Sequence, residues 1–163
     1  MPLKKKIVAV VGPGEGASDA DMALGHELGK LIAARGWILL SGGRAVGVMD
    51  AVNRGAKAAG GLTVGIIPTT RDPISEAVDI AIVTDMGSAH NNIIVLSSDA
   101  IISCGAGTAS EIALALKAGK HVVLLGEGEE ARSYFKTVGH ELLHTAVTAA
   151  EAVQIVSALF AKS

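Results

Sequence analysis

One pattern constrains this chain more than any other: a short apolar run, a glycine-rich turn and a helical stretch, repeated three times. Ile7–Val11 leads into Gly12-Pro13-Gly14-Glu15-Gly16, Trp37–Leu40 into Ser41-Gly42-Gly43-Arg44-Ala45-Val46-Gly47, and Ala100–Ser103 into Gly105-Ala106-Gly107-Thr108. Glycine lets the backbone turn sharply and lets a ligand approach where a Cβ would block it. The free N–H groups of the following helical turn, with the helix dipole, then favour an anion. One such turn needs no ligand to explain it, because any tight strand-to-helix loop can use glycine. Three would converge on one edge of an open sheet, where ligands bind in folds of this kind.

The rest of the chain continues the alternation. Thr63–Ile67, Ile80–Val83 and Val122–Leu125 read as further buried strands, and a weaker seventh lies near Leu143–Val147. The first helix is expected from about Asp19 to Arg35, with Ser18 and Asp21 at capping-box spacing and Gly36 as the terminating glycine. Others are expected over about Val46–Ala59, Ala89–Leu96, Thr108 to Gly119 and Ala149–Ala161, the last with Thr148 and Glu151 as its capping box, and a short one near Ala131–Phe135. Short links between strands and helices imply right-handed crossovers. The expected fold is α/β: a single Rossmann-like, doubly wound domain over residues 1–163, with a mainly parallel sheet of six to seven strands and helices on both faces. Hydrophobic residues make up 50% of the chain and aromatics 2%, so the core must be built from Ala, Val, Ile and Leu. Thr69–Asp79 is the longest irregular stretch; it is expected on the surface, flanking the ligand.

Several function classes lose ground. A net charge of −2 gives no global pull toward nucleic acid, and Lys4-Lys5-Lys6 reads as a solvated lead-in to the first strand. The one cysteine, Cys104, cannot form an internal disulfide, which suits a reducing, cytoplasmic setting. Ile7–Val11 is too short for the apolar core of a signal peptide, and no apolar run approaches the ~20 residues of a membrane span. The first turn lacks G-x-G-x-x-G spacing, no acidic residue ends the second strand, and there is no Walker lysine. Dinucleotide binding and ATP hydrolysis are therefore disfavoured.

The candidate ligand-binding residues are Gly12, Gly14, Gly42, Gly43, Arg44, Gly47, Ser88, His90, Asn91, Gly105, Gly107, Thr108 and Glu111. Arg44 reads as a phosphate or oxyanion contact, against a solvated surface residue. Thr108 and Glu111 form a T-x-x-E capping box, a role that can coexist with ligand contact. Ser88 reads as a helix N-cap whose hydroxyl could also reach the ligand. His90 either lines the site or pairs locally. Cys104 reads as a small buried hydrophobe. His121, His140 and His144 lack metal-ligand spacing, and Met22, Met49 and Met86 read as core or pocket wall. The pattern assigns no catalytic residue and no protein ligand to a metal.

Ser41-Gly42-Gly43, Gly47-Val48-Met49, Ala51, Gly60-Gly61 and Gly65-Ile66-Ile67-Pro68 resemble the front half of the family once labelled "possible lysine decarboxylase", which includes the LOG phosphoribohydrolases acting on nucleoside monophosphates. Ser98-Asp99-Ala100 and Gly105-Ala106-Gly107-Thr108-Ala109-Ser110-Glu111 resemble its back half. Gly12-Pro13-Gly14, Gly36–Leu40, Ala77–Ile80 and Ala113–Ala118 extend the resemblance to one branch, the molybdenum cofactor carrier proteins of algae and cyanobacteria. That resemblance implies non-catalytic binding of molybdenum cofactor, a phosphorylated pyranopterin, with phosphate or another oxyanion able to occupy the site. It also implies a homo-oligomer, dimer or tetramer, and a molybdoenzyme or cofactor-biosynthesis partner. An Ala-rich helix face is expected to bury the excess apolar surface in that oligomer. The chain departs from LOG enzymes at the helix where they carry an Arg-Lys pair: His90 and Asn91 stand there instead. In LOG enzymes that arginine works with the motif glutamate on the ribosyl phosphate. Here Glu111 remains and the arginine does not, which favours binding over glycosidic cleavage. LOG-like hydrolysis and generic nucleotide sensing are the alternatives.

Overall fold

A computed structural model describes residues 4–106 and 108–162. Its strands are β1 (Ile7–Val11), β2 (Ile38–Ser41), β3 (Thr63–Ile67), β4 (Ile80–Val83), β5 (Ala100–Cys104), β6 (Val122–Leu125) and β7 (Leu143–Ala146). All pair in parallel in one sheet of order β4-β3-β2-β1-β5-β6-β7. The helices are α1 (Asp19–Ala34), α2 (Gly47–Ala58), α3 (His90–Ser97), α4 (Ala109–Lys117), α5 (Glu129–Gly139) and α6 (Ala149–Ala161). The strand order runs outward in opposite directions from β1 and β5, so the sheet's switch point lies between them. This is the doubly wound arrangement expected from the alternation of runs and turns.

Side chains alternate along β1 to feed two cores. Val8 and Val10 pack with Leu28, Ile32, Val52 and Val156 beneath α1, α2 and α6. Ala9 and Val11 pack with Ile94, Val95, Ile112 and Phe135 beneath α3, α4 and α5. Both faces of the central strands are thus buried, which is why their sequences read as unbroken apolar runs.

The helix ends show where local chemistry dictated structure. Ser18 and Asp21 form the expected reciprocal capping box on α1, and Gly36 follows the helix at φ +70°. Thr148 accepts from the Glu151 N–H at the start of α6.

Other expectations are corrected. β4 is exposed at all four positions, because it is an edge strand and α3, the next helix, packs against β3 and β1 instead. Thr108 precedes α4 but makes no side-chain cap; its hydroxyl turns inward to Ser103, 2.6 Å away. Ser88 does not cap α3 either. It lies inside a short 3-10 turn, Gly87–Ala89, that runs directly into the helix. The short helix near Ala131–Phe135 is part of the longer α5. His121 and His144 are adjacent in space, with Nδ1 of one 3.1 Å from Nε2 of the other.

Candidate functional site

The C-terminal ends of β1, β2 and β3 open onto a cleft of about 400 Å³. Gly12 and Gly42 form its floor, Arg44, Thr69 and Asp72 one wall, and Ser88, His90, Asn91 and Glu111 the other.

The second glycine turn is locked from behind. Ser41 Oγ accepts from the Gly43 N–H (3.1 Å) and from Asn53 Nδ2 (2.9 Å), and that amide also donates to the Met49 carbonyl (2.8 Å). From the front, the Thr69–Asp79 segment straps onto the turn. Ala45 N donates to the Pro73 carbonyl (2.8 Å), Ser75 N donates to the Gly43 carbonyl (2.9 Å), and Ser75 Oγ donates to Asp50 (2.6 Å). This strap brings Thr69 and Asp72 to the cleft. Gly47 holds the first and second turns together. It sits at φ +55°, and a Cβ there would collide with the carbonyl oxygens of Pro13 and Gly14.

Arg44 is not a free cation. Its Nη2 lies 2.6 Å from Glu15 Oε1, and its Nε lies 2.8 Å from Asp72 Oδ1, an ion-pair contact whose angle misses a hydrogen bond. The Glu15 hydrogen bond raises the arginine pKa further, and the Arg44 hydrogen bond in turn lowers that of Glu15. The Asp72 carboxyl is held low first by the Thr69 hydroxyl, which donates to it at 2.7 Å, and then by Arg44.

Across the cleft, His90 Nδ1 lies 2.8 Å from the Gly87 carbonyl. A carbonyl only accepts, so Nδ1 carries the proton and Nε2 is left as a lone-pair site in the neutral ring. His90 pairs locally with Gly87 and its side chain lies in the wall of the cleft. Glu111 Oε2 accepts from Ser110 Oγ at 2.5 Å.

The structure therefore gathers Gly12, Gly42, Arg44, Ser88, His90, Asn91 and Glu111 around one cavity. Gly14, Gly43 and Gly47 shape the turns behind it. A Cβ on Gly14 would stand 3.6 Å from the Arg44 guanidinium. Gly105 and Thr108 are set back from the cleft, and Gly107 falls outside the described residues. Met49 is pocket wall. Cys104 is fully buried, and burial, aided by Asp21 and Glu127, pushes its thiol up to about 12, so it stays a protonated hydrophobe at neutral pH.

One residue escaped the sequence reading. Glu127 is 6% exposed and accepts from Ser103 Oγ at 2.8 Å. It belongs to a fourth glycine turn, Gly126-Glu127-Gly128, after β6. The signal was the same strand-then-glycine pattern that marked the other three.

The profile of the SLOG cluster4 family matches residues 5–156. Among solved structures, the molybdenum cofactor binding protein of the phototrophic bacterium Rippkaea orientalis superposes with a TM-score of 0.94 at 45% identity, over 97% of this chain and 99% of that one. The Moco carrier protein of Chlamydomonas reinhardtii superposes with a TM-score of 0.93 at 48% identity, over 98% and 100%. A cytokinin riboside 5'-monophosphate phosphoribohydrolase of Mycobacterium tuberculosis is 41% identical over 96 residues, 56% of this chain and about half (51%) of that protein.

Proposed function

The chain belongs to the SLOG cluster4 family, and from that premise we propose that it binds and carries molybdenum cofactor without cleaving it, protecting the cofactor before transfer to molybdoenzymes. The observation that carries this reading is the near-complete overlap with the Rippkaea and Chlamydomonas proteins at 45–48% identity. The cleft suits such a cargo: its volume falls in the range of small-molecule sites, and it offers Arg44, Ser88, His90 and Asn91 as polar partners. Arg44 and the first two glycine turns take the phosphate in the cleft, while Gly105, Gly107 and Thr108 are proposed to reach the cargo from the third turn. Molybdenum travels as part of the cargo, held by the pterin. The whole of residues 1–163 acts as one ligand-binding domain in the cytoplasm, handing its cargo to a biosynthetic or molybdoenzyme partner and making no use of nucleic acid. Among the described residues no helix is long and apolar enough to cross a membrane.

The second reading, LOG-like hydrolysis, draws on the mycobacterial relative and on Glu111 in the cleft. One paired assay separates the two. Purified protein should retain molybdenum cofactor through gel filtration, recovered after oxidation as fluorescent pterin, and should release no adenine from AMP. Base release on the order of 1 per second, a competent enzyme's rate, with no pterin retained, selects hydrolysis.

The same reading makes the protein a homo-oligomer. Among the described residues, large exposed apolar side chains include Ile80, Ile82 and Val83 on the edge strand β4, 47–48% exposed, and Leu96 on neighbouring α3, 56% exposed. An uncovered apolar edge strand is a site for pairing with another chain. Sedimentation should show a dimer or tetramer at micromolar concentration, and Ile82→Glu should shift it toward monomer; a wild-type monomer removes this part of the reading.

A further inference from the structure

The polar groups of the cleft divide into those that can change role and those that cannot. The Ser88 hydroxyl and the Asn91 amide both donate and accept, so they fit many partners. Two groups on the same wall have one role each. His90 Nδ1 spends its proton on the Gly87 carbonyl at 2.8 Å, so the neutral ring keeps only a lone pair, on Nε2, for a ligand. That nitrogen stands over the floor, 3.7 Å from where a Cβ on Gly42 would lie. Glu111, in the first turn of α4, is a carboxylate and only accepts. Ser110 Oγ donates to its Oε2, and among the described residues no donor reaches Oε1.

The other wall carries the cation, Arg44. A ligand that satisfies both walls is therefore anionic at one end and a hydrogen-bond donor at the other. Two adjacent N–H groups suit a carboxylate best, because its two oxygens accept them in parallel. A 2-amino-4-oxopyrimidine ring, the edge shared by pterins and guanine, presents such a pair: the ring N–H and one hydrogen of the amino group. Adenine presents a ring lone pair beside its amino group, and that lone pair would face an acceptor.

We propose that Glu111 is the specificity-determining residue of the cleft, accepting the paired N–H donors of a 2-amino-4-oxopyrimidine ring, while the lone pair on His90 Nε2 disfavours rings that bring an acceptor to the floor. The proposal rests on the cargo reading for naming a phosphorylated pterin as that ligand. It gives Glu111 a use that involves no cleavage. Discrimination of this kind is strong, because a wrong ring leaves a desolvated acceptor unpaired rather than merely losing one contact.

GMP, IMP and AMP test the edge, since all three carry the same ribose phosphate and differ only in the base. Binding is measured by calorimetry on wild-type protein and on Glu111→Gln at about pH 8, which keeps imidazoles neutral. GMP should bind wild type roughly 10- to 100-fold more tightly than IMP, which lacks the 2-amino group, that being the worth of one hydrogen bond to a charged group. AMP should bind most weakly. Glu111→Gln exchanges one accepting oxygen for a donating amide of the same shape, and should bring GMP and IMP to nearly equal affinity. A residue that only supported the helix would lower all affinities together and leave the preference alone. Equal binding of GMP and IMP by wild type, or a preference unchanged in Glu111→Gln, overturns the assignment. The cargo reading is judged separately, by retention of fluorescent pterin through gel filtration. Retention without a GMP preference overturns the role of Glu111 and spares the carrier. A GMP preference with no retained pterin overturns the carrier and leaves Glu111 reading a guanine nucleotide.

Discussion

Arg44→Ala should weaken retention of the cofactor roughly 10- to 100-fold, the loss expected when one charge-assisted contact to a phosphate is removed. Among the described residues lining the cleft, Arg44 is the one Lys or Arg, while Asp72 and Glu111 are carboxylates. Removing the guanidinium therefore leaves two acids facing an anionic cargo. Glu15 is the exposed partner, with 72% of its side chain open to solvent, and an exposed pair of this kind adds little to stability. Bound phosphate can displace it while Asp72, tied to Thr69, keeps the arginine aimed at the cleft. Arg44→Lys should recover part of the loss, because an ammonium supplies charge but not the fork. Fluorescent pterin recovered after gel filtration measures the effect, and the melting temperature of the apo protein should hardly move. Retention equal to wild type would mean the phosphate is held elsewhere.

Gly55→Ala should destabilise the fold by about 3 kcal/mol, which for a domain of this size lowers Tm by roughly 6–12 °C. A Cβ at Gly55 would collide with the His26 carbonyl on α1, and one at Gly29 with the Val52 carbonyl on α2. Both obstacles are helix backbone, which cannot rotate away as a side chain can, so α1 and α2 must separate. Alanine's better helix propensity, worth about 1 kcal/mol, offsets only part of this. The separation would also shift α2, whose first turn carries Gly47 against the first glycine turn, so cofactor retention should fall with stability. Thermal unfolding of Gly55→Ala and Gly29→Ala checks this; unchanged midpoints would show that the helices are not pressed together there.

The parts of this protein that were legible in its sequence depend on near neighbours in the chain. Apolar runs buried on both faces announced β1, β2, β5 and β6, since each must lie under helices on two sides. Ser18 with Asp21, and Thr148 with Glu151, announced helix starts because a cap is made within three residues. The first two glycine turns announced the cleft because each opens at the same edge of the sheet, while the third is set back from it. The T-x-x-E string misled because Thr108 had a buried competitor, Ser103 on β5, itself bonded to the distant Glu127, and burial made the hydroxyl chain the better bond. Tertiary structure alone decided that β4 would be an uncovered edge, because an apolar run does not say whether a helix lies over it. It alone set Arg44 between Glu15 and Asp72, and Glu127 behind Thr108, because those partners come from loops on different strands. And it alone gave Gly29 and Gly55 their purpose. Inside a helix a glycine reads as a weak spot, until the fold brings another backbone so close that no side chain fits between them.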